Sequence, residues 1–124
     1  MALLESGEMY LEAIYVLSQE SSTVRGIDVG DYLGYSKPSV SRALGLLRDQ
    51  GLLIRDDDGF IKLTEAGEAK ASNIYERHTV LTRMLLNLGV DEETASEDAC
   101  RIEHYISDTT FNAIKKHMAE HKEA

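Results

Sequence analysis

Apolar positions near the start of the chain recur with helical spacing. Tyr10, Ile14 and Leu17 stand at i, i+4 and i+7, which predicts a first helix capped by Ser6 and running to about Ser18. The segment TVRGIDVGDYLGYSKPSVSRALGLLRDQGLLI, from Thr23, predicts two more. A short helix around Ile27 to Leu33 stops at Gly34, which turns left-handed without steric cost. Ser36 caps the next, with Pro38 tolerated in its first turn and Val40, Leu44 and Leu47 as its buried stripe. The run LLIRDDDGFIKLT then alternates around Asp58-Gly59, the signature of a two-residue hairpin. Helix, turn, helix and hairpin in that order predict a winged helix.

Beyond the hairpin the period is helical to the end. Thr64 caps a long helix from Glu65 to Leu88 carrying Ala69, Ile74, Leu81, Met84, Leu85 and Leu88, closed by Gly89 with Val90 as the Schellman contact. About 24 helical residues span about 36 Å, more than a winged helix covers, so part of this helix is expected to bury against a second copy of the chain. Asp91 caps a further helix that passes Cys100 and ends near Tyr105. Asp108 caps the last, to about His121. The fold class is mostly α with a small β-hairpin. A winged helix-turn-helix over residues 1–63 precedes a helical region over 64–124.

Composition adds bounds. A chain of 124 residues builds one core without disulfides, and its single cysteine makes no internal bridge. With no basic-then-apolar leader and no apolar run of about 18 residues, a reducing cytoplasm is the expected address, the thiol staying reduced or metal-bound. A net charge of -9 argues at first against nucleic acid. Its distribution changes that picture: residues 23–55 carry five bases and three acids, whereas residues 1–22 carry four acids and no base. The segment with positive balance is the helix-turn-helix.

Candidate chemistry falls in two places. On the helix after Ser36, the face opposite the core stripe holds Pro38, Ser39, Ser41, Arg42 and Gly45, small residues with one long cation. Such a face approaches base edges in a major groove, where Ser and Arg donate to bases and phosphates and small residues permit approach. In ACRIEHYIS, Cys100, Glu103 and His104 share one stripe about 100° wide if the segment is helical, so thiol, carboxylate and imidazole point one way. Taken singly, each has an ordinary reading as core or solvated surface. Together they form half a metal site, with Met9 and Glu12 on the first helix and His78 on the long one as the candidates to complete it. Carboxylate and imidazole suit Mn(II), Fe(II), Co(II) and Zn(II), while thiolate and thioether tilt towards softer ions. A second reading keeps the winged helix and makes Cys100 a metal-free redox sensor. Enzymatic catalysis is not expected, because the sequence offers no oxyanion-hole loop, glycine-rich phosphate cradle or paired-carboxylate arrangement.

The stretches EMYLEAIYVL, SKPSVSRAL and LTEAG, a histidine on the long helix, and DACRIEHYISD together resemble the diphtheria toxin repressor family of metal-dependent transcriptional regulators, which includes the manganese transport regulators. The resemblance covers nearly the whole chain, in order, and fits a short form without the SH3-like domain of longer members. It implies a homodimeric repressor that binds a palindromic operator when Mn(II) or Fe(II) fills a site between the first helix and the dimerisation helices. By position, Met9, Cys100, Glu103 and His104 match the regulatory site of the iron-responsive branch, and Glu12 and His78 match ligands of the manganese-responsive branch. Two partners of an ancillary iron-branch site are replaced by Thr82 and Ser96. Asp56, Asp57 and Asp58 place three negative charges at a wing tip that should approach phosphate, so the recognition helix from its cap Ser36 onward, with Arg25, Lys37, Arg42 and Arg48 nearby, is expected to supply most of the DNA contact.

Overall fold

The computed structural model describes residues 5–121, with side chains from residue 7 onward. Six helices and one hairpin follow in the order α1 (Glu5–Glu20), α2 (Gly26–Leu33), α3 (Lys37–Asp49), β1 (Leu53–Arg55), β2 (Ile61–Leu63), α4 (Glu65–Asn87), α5 (Glu92–Ile102) and α6 (Asp108–Glu120). They form two compact units, one up to Ser72 and the other from Asn73. The division lies within α4, whose first two turns belong to the first unit.

In the first unit α1 packs on α2 and α3 through Tyr10, Leu11 and Ile14, all 5 % exposed or less, against Val29, Val40, Leu44 and Leu47. The helix starts at Glu5, so Ser6 is its second residue rather than its cap; the Ser6 side chain lies outside the described residues. The helix also runs past Ser18 to Glu20. Gly34, at φ 75°, ends α2, and its N–H donates to Gly30 O. Ser36 caps α3 by accepting from the Ser39 N–H, with Pro38 in the first turn.

The two strands pair antiparallel as Leu53 with Leu63, Ile54 with Lys62 and Arg55 with Ile61. Their connection is longer than the two-residue turn the sequence suggests. Asp56 and Phe60 close it through Asp56 N–H to Phe60 O at 3.0 Å, and Gly59 at φ 84° donates to Asp56 O. The reason is local: Asp56 Oδ1 accepts from the N–H groups of Asp58 and Phe60, at 2.9 and 3.0 Å, and this bracing favours a turn followed by a left-handed residue. Leu53 and Ile61 turn inward, both 1 % exposed, and Ile61 N–H also donates to Val24 O, docking the wing beside α2.

Thr64 joins wing to helix. Its hydroxyl accepts from the Gly67 N–H at 3.0 Å, capping α4, and donates to Gly51 O at 2.7 Å. Along α4 the buried stripe is Gly67, Ala71, Ile74 and Leu81. Ala69, expected in it, is exposed because it lies on the opposite side of the helix from Ala71, and Leu88, past the last turn, is 73 % exposed. The Schellman closure is present, with Val90 N–H donating to Leu85 O across Gly89 at φ 99°.

In the second unit Asp91 caps α5, accepting from Thr94 N–H, a bond that holds the Asp91 carboxyl below its usual range. Helix α5 stops at Ile102, short of Tyr105. Ser107, not Asp108, caps α6 by accepting from Thr110 N–H at 3.1 Å; Asp108 is the first helical residue, its carboxylate drawn to Arg77. Ile74, Leu81, Ala95, Ala99 and Phe111 are buried here, and among them lie a guanidinium, Arg77, and a carboxylate, Glu103.

Candidate metal centre and nucleic-acid interface

Glu103 follows the last residue of α5, yet its backbone stays helical, at φ -58° and ψ -25°, and its N–H still bonds to Ala99 O. That continuation preserves the stripe expected of a full helix. The ligand atoms of Cys100, Glu103 and His104 lie within 4.8 Å of one another. The Glu103 side chain is wholly buried, with an imidazole facing each oxygen: His78 Nδ1 stands 3.0 Å from Oε2, and His104 Nε2 stands 3.3 Å from Oε1. His78 Nδ1 and Glu103 Oε2 stand at hydrogen-bond distance, the imidazole donating in the tautomer that carries its proton on Nδ1. Oε1 makes no well-formed hydrogen bond among the described residues, and the His104 imidazole lies beside it.

A buried carboxylate so placed loses hydration that the surrounding groups only partly return. Thiol, carboxylate and imidazole from one turn, with a second imidazole from α4, fit a divalent transition metal by donor type. Met9 and Glu12 lie on α1 in the first unit, three residues apart and both half-buried. The Met9 thioether accepts from the Tyr35 hydroxyl at 3.9 Å, and the Tyr35 ring lies 5.6 Å from that of Tyr10. Burial first, and Tyr35 beside it, hold the Tyr10 phenol above its usual range. Thr82 carries a buried hydroxyl without a hydrogen-bond partner among the described residues, and Ser96 is exposed.

The second place of interest is α3. Lys37, Pro38, Ser41 and Arg42 are exposed, while Ser39 and Gly45 are half-buried and so less outward than the sequence suggests. The Ser36 hydroxyl is engaged in the cap. Arg48, exposed, reaches its neighbour Asp49 at 3.5 Å. The Arg25 guanidinium stacks over the Phe60 ring, 4.8 Å from its centroid, so the turn before α2 and the wing share one cation.

Sequence reasoning missed two cations. Arg55, exposed on β1, borders with Lys37 and Ser41 a groove of about 210 Å³ beside α3. Its signal was its place one step from the tip of the hairpin. Arg77 is the other; its signal was a charge at i+3 from Ile74 in an otherwise apolar stripe.

Residues 2–59 match the N-terminal DNA-binding domain of the iron-dependent repressors, and residues 64–124 match their metal-binding and dimerisation domain. The transcriptional regulator MntR of Escherichia coli O6:H1 is 35% identical over 112 residues, 90% of this chain and 72% of the relative. This chain belongs to the iron-dependent repressor family. Within that family it is 31% identical over 115 residues to the diphtheria toxin repressor of Corynebacterium diphtheriae, covering 92% of this chain and 51% of that one. Among solved structures, the manganese regulator SloR superposes with a TM-score of 0.82 at 27% identity, over 91% of this chain and 53% of SloR. The chain thus spans about half the length of these two proteins. As the family's winged-helix architecture requires, helix-turn-helix and hairpin precede the helical region. No described helix is long and apolar enough to cross a membrane.

Proposed function

We propose that this chain is a metal-dependent transcriptional regulator, a homodimeric repressor of metal-uptake genes that binds a palindromic operator in the cytoplasm when Mn(II) or Fe(II) is bound. The single observation that carries the reading is the buried Glu103 carboxylate, set between two imidazoles beside a thiol, in a chain whose first unit is a winged helix. Residues 1–63 act as the DNA-binding region and residues 64–124 as the dimerisation and metal-binding region. Cys100, Glu103 and His104 hold the cation from the turn after α5, His78 from α4, and Met9 and Glu12 from α1. When bound, a divalent cation supplies positive charge and directed bonds that return the solvation lost by Glu103. Donors on α1 tie the first helix to that centre, and with it the α3 helix that packs on α1.

At the DNA, Ser36, Lys37, Pro38, Ser39, Ser41 and Arg42 present the start of α3 to a major groove, where N-terminal residues of a recognition helix reach base edges. Arg25 and Arg48 serve phosphates, and so does Arg55. Linkage then requires operator and cation each to tighten the other by the same factor. A hundredfold preference, about 2.7 kcal/mol, moves a closely balanced equilibrium decisively.

The test is operator selection from random duplex DNA, followed by affinity with and without Mn(II) or Fe(II). Tighter binding with metal is expected. His104→Ala abolishes the dependence on metal, whereas Arg42→Ala weakens DNA binding even at saturating metal. Equal affinities in the presence and absence of metal overturn the proposal.

A further inference from the structure

Arg77 is 9 % exposed. A guanidinium keeps its charge at every accessible pH, so a buried one needs partners in place. Its partners all lie where α5 gives way to α6. Nη1 donates to Glu103 O at 3.2 Å and to Ile106 O at 2.8 Å, and Nη2 donates to Asp108 Oδ1. The group lies over the Phe111 ring, 5.3 Å from its centroid.

Each partner has a physical reason to want a cation. The Glu103 carbonyl, at the C-cap of α5, lacks an intrahelical donor, the negative end of the α5 dipole favours positive charge, and the Ile106 carbonyl lies in the connection that leads into α6. Asp108 opens α6, so the same fork ties the exit of one helix to the entry of the next. Glu103 and His104 stand inside the segment so tied. Two adjacent residues of α4 therefore grip one turn: Arg77 takes its backbone, and His78 takes the Glu103 side chain at Oε2.

We infer that Arg77 is a positioning residue of the metal centre, a rigid fork that fixes the backbone of residues 103–106 so that Glu103 and His104 are prearranged for a divalent cation. The inference rests on the metal-site reading above. Lysine does not replace the fork, since one ammonium on a flexible stem lacks the plane that serves two carbonyls and a carboxylate together. Asp108 contributes less, because its side chain is 83% exposed.

The experiment uses the full chain after chelator treatment, titrated with Mn(II) by calorimetry and with Co(II) by absorption, for the wild type, Arg77→Lys, Arg77→Met and Asp108→Asn. Wild-type protein that binds neither ion removes the metal-site reading itself, and the inference with it. Given wild-type binding, both Arg77 variants are expected to bind Mn(II) about ten- to hundredfold more weakly, the range for partners that orient ligands. Their Co(II) spectra should lose intensity in the thiolate-to-metal region, and Asp108→Asn should fall by only about twofold. Arg77→Lys retains charge and most of the packing, and carries the comparison alone if the Met variant does not fold. Folded Arg77 variants with the wild-type Mn(II) affinity and Co(II) spectrum, even if less heat-stable, overturn the inference and leave Arg77 a structural clamp.

Discussion

Glu103 sets a conflict between folding and binding at the level of one side chain. Removing a carboxylate from water is costly, and a neutral isostere of the same shape is often as stable or more so. Glu103→Gln is therefore expected to leave the metal-free protein at least as stable, by up to about 1 kcal/mol, while lowering Mn(II) affinity by about a hundredfold or more. Thermal melts in chelator, paired with calorimetric titration, check both halves; a metal-free protein that melts much lower with binding intact would make the carboxylate structural. Cys100, Glu103 and His104 were legible in the sequence because one turn carries all three, and helical spacing fixes side-chain direction even where the last hydrogen bonds loosen. Arg77 was not, because a charge in an apolar stripe marks an exception without naming its partner; what buries it is a turn 26 residues later in the chain.

Among elements, the ends were read best where one side chain meets the backbone beside it. Ser36, Thr64 and Asp91 cap the helices they were expected to cap, since an N-cap bond spans only two or three residues. Ser107 displaced Asp108 at α6 because two cap-forming residues adjoin, and the guanidinium that claims Asp108 comes from another helix. The hairpin loop lengthened for a reason also outside its turn dipeptide, the carboxylate of Asp56. Two glycines test how elements meet. A Cβ at Gly67 would stand 1.9 Å from Leu52 O, a backbone atom with no freedom to swing aside, whereas one at Gly45 would meet nothing within 4 Å. Gly67→Ala should cost about 2 kcal/mol or more, and Gly45→Ala should stabilise by about 0.5–1 kcal/mol, both measured by denaturant unfolding. A harmless Gly67→Ala would mean that α4 and the wing adjust more readily than this contact allows.

For the molecule as a whole, charge opposes the task proposed for it. The chain carries -9, and the wing tip, which the proposal brings towards DNA, bears Asp57 and Asp58, both exposed. In the proposed complex, phosphate contact comes from Arg25, Lys37, Arg42, Arg48 and Arg55 against that background. Replacing both wing acids, Asp57→Asn with Asp58→Asn, should tighten DNA binding by about three- to tenfold at low salt, and by less as salt rises, with Mn(II) affinity unchanged. Unaltered DNA affinity at low salt would place the wing away from the duplex. The winged-helix order was readable at this scale because each element announces itself within a dozen residues, whereas the boundary of the compact units, inside an unbroken helix, leaves no mark in the pattern of residues.

The Asp56 carboxylate is already committed to two amide groups of its own loop, so its neighbours at the tip contribute charge without contributing architecture. Form and field are thereby assigned to different residues. Positions 57 and 58 are open to retuning by evolution or by design, towards acids that discourage casual contact with nucleic acid or bases that invite it, while position 56 keeps the tip where it is.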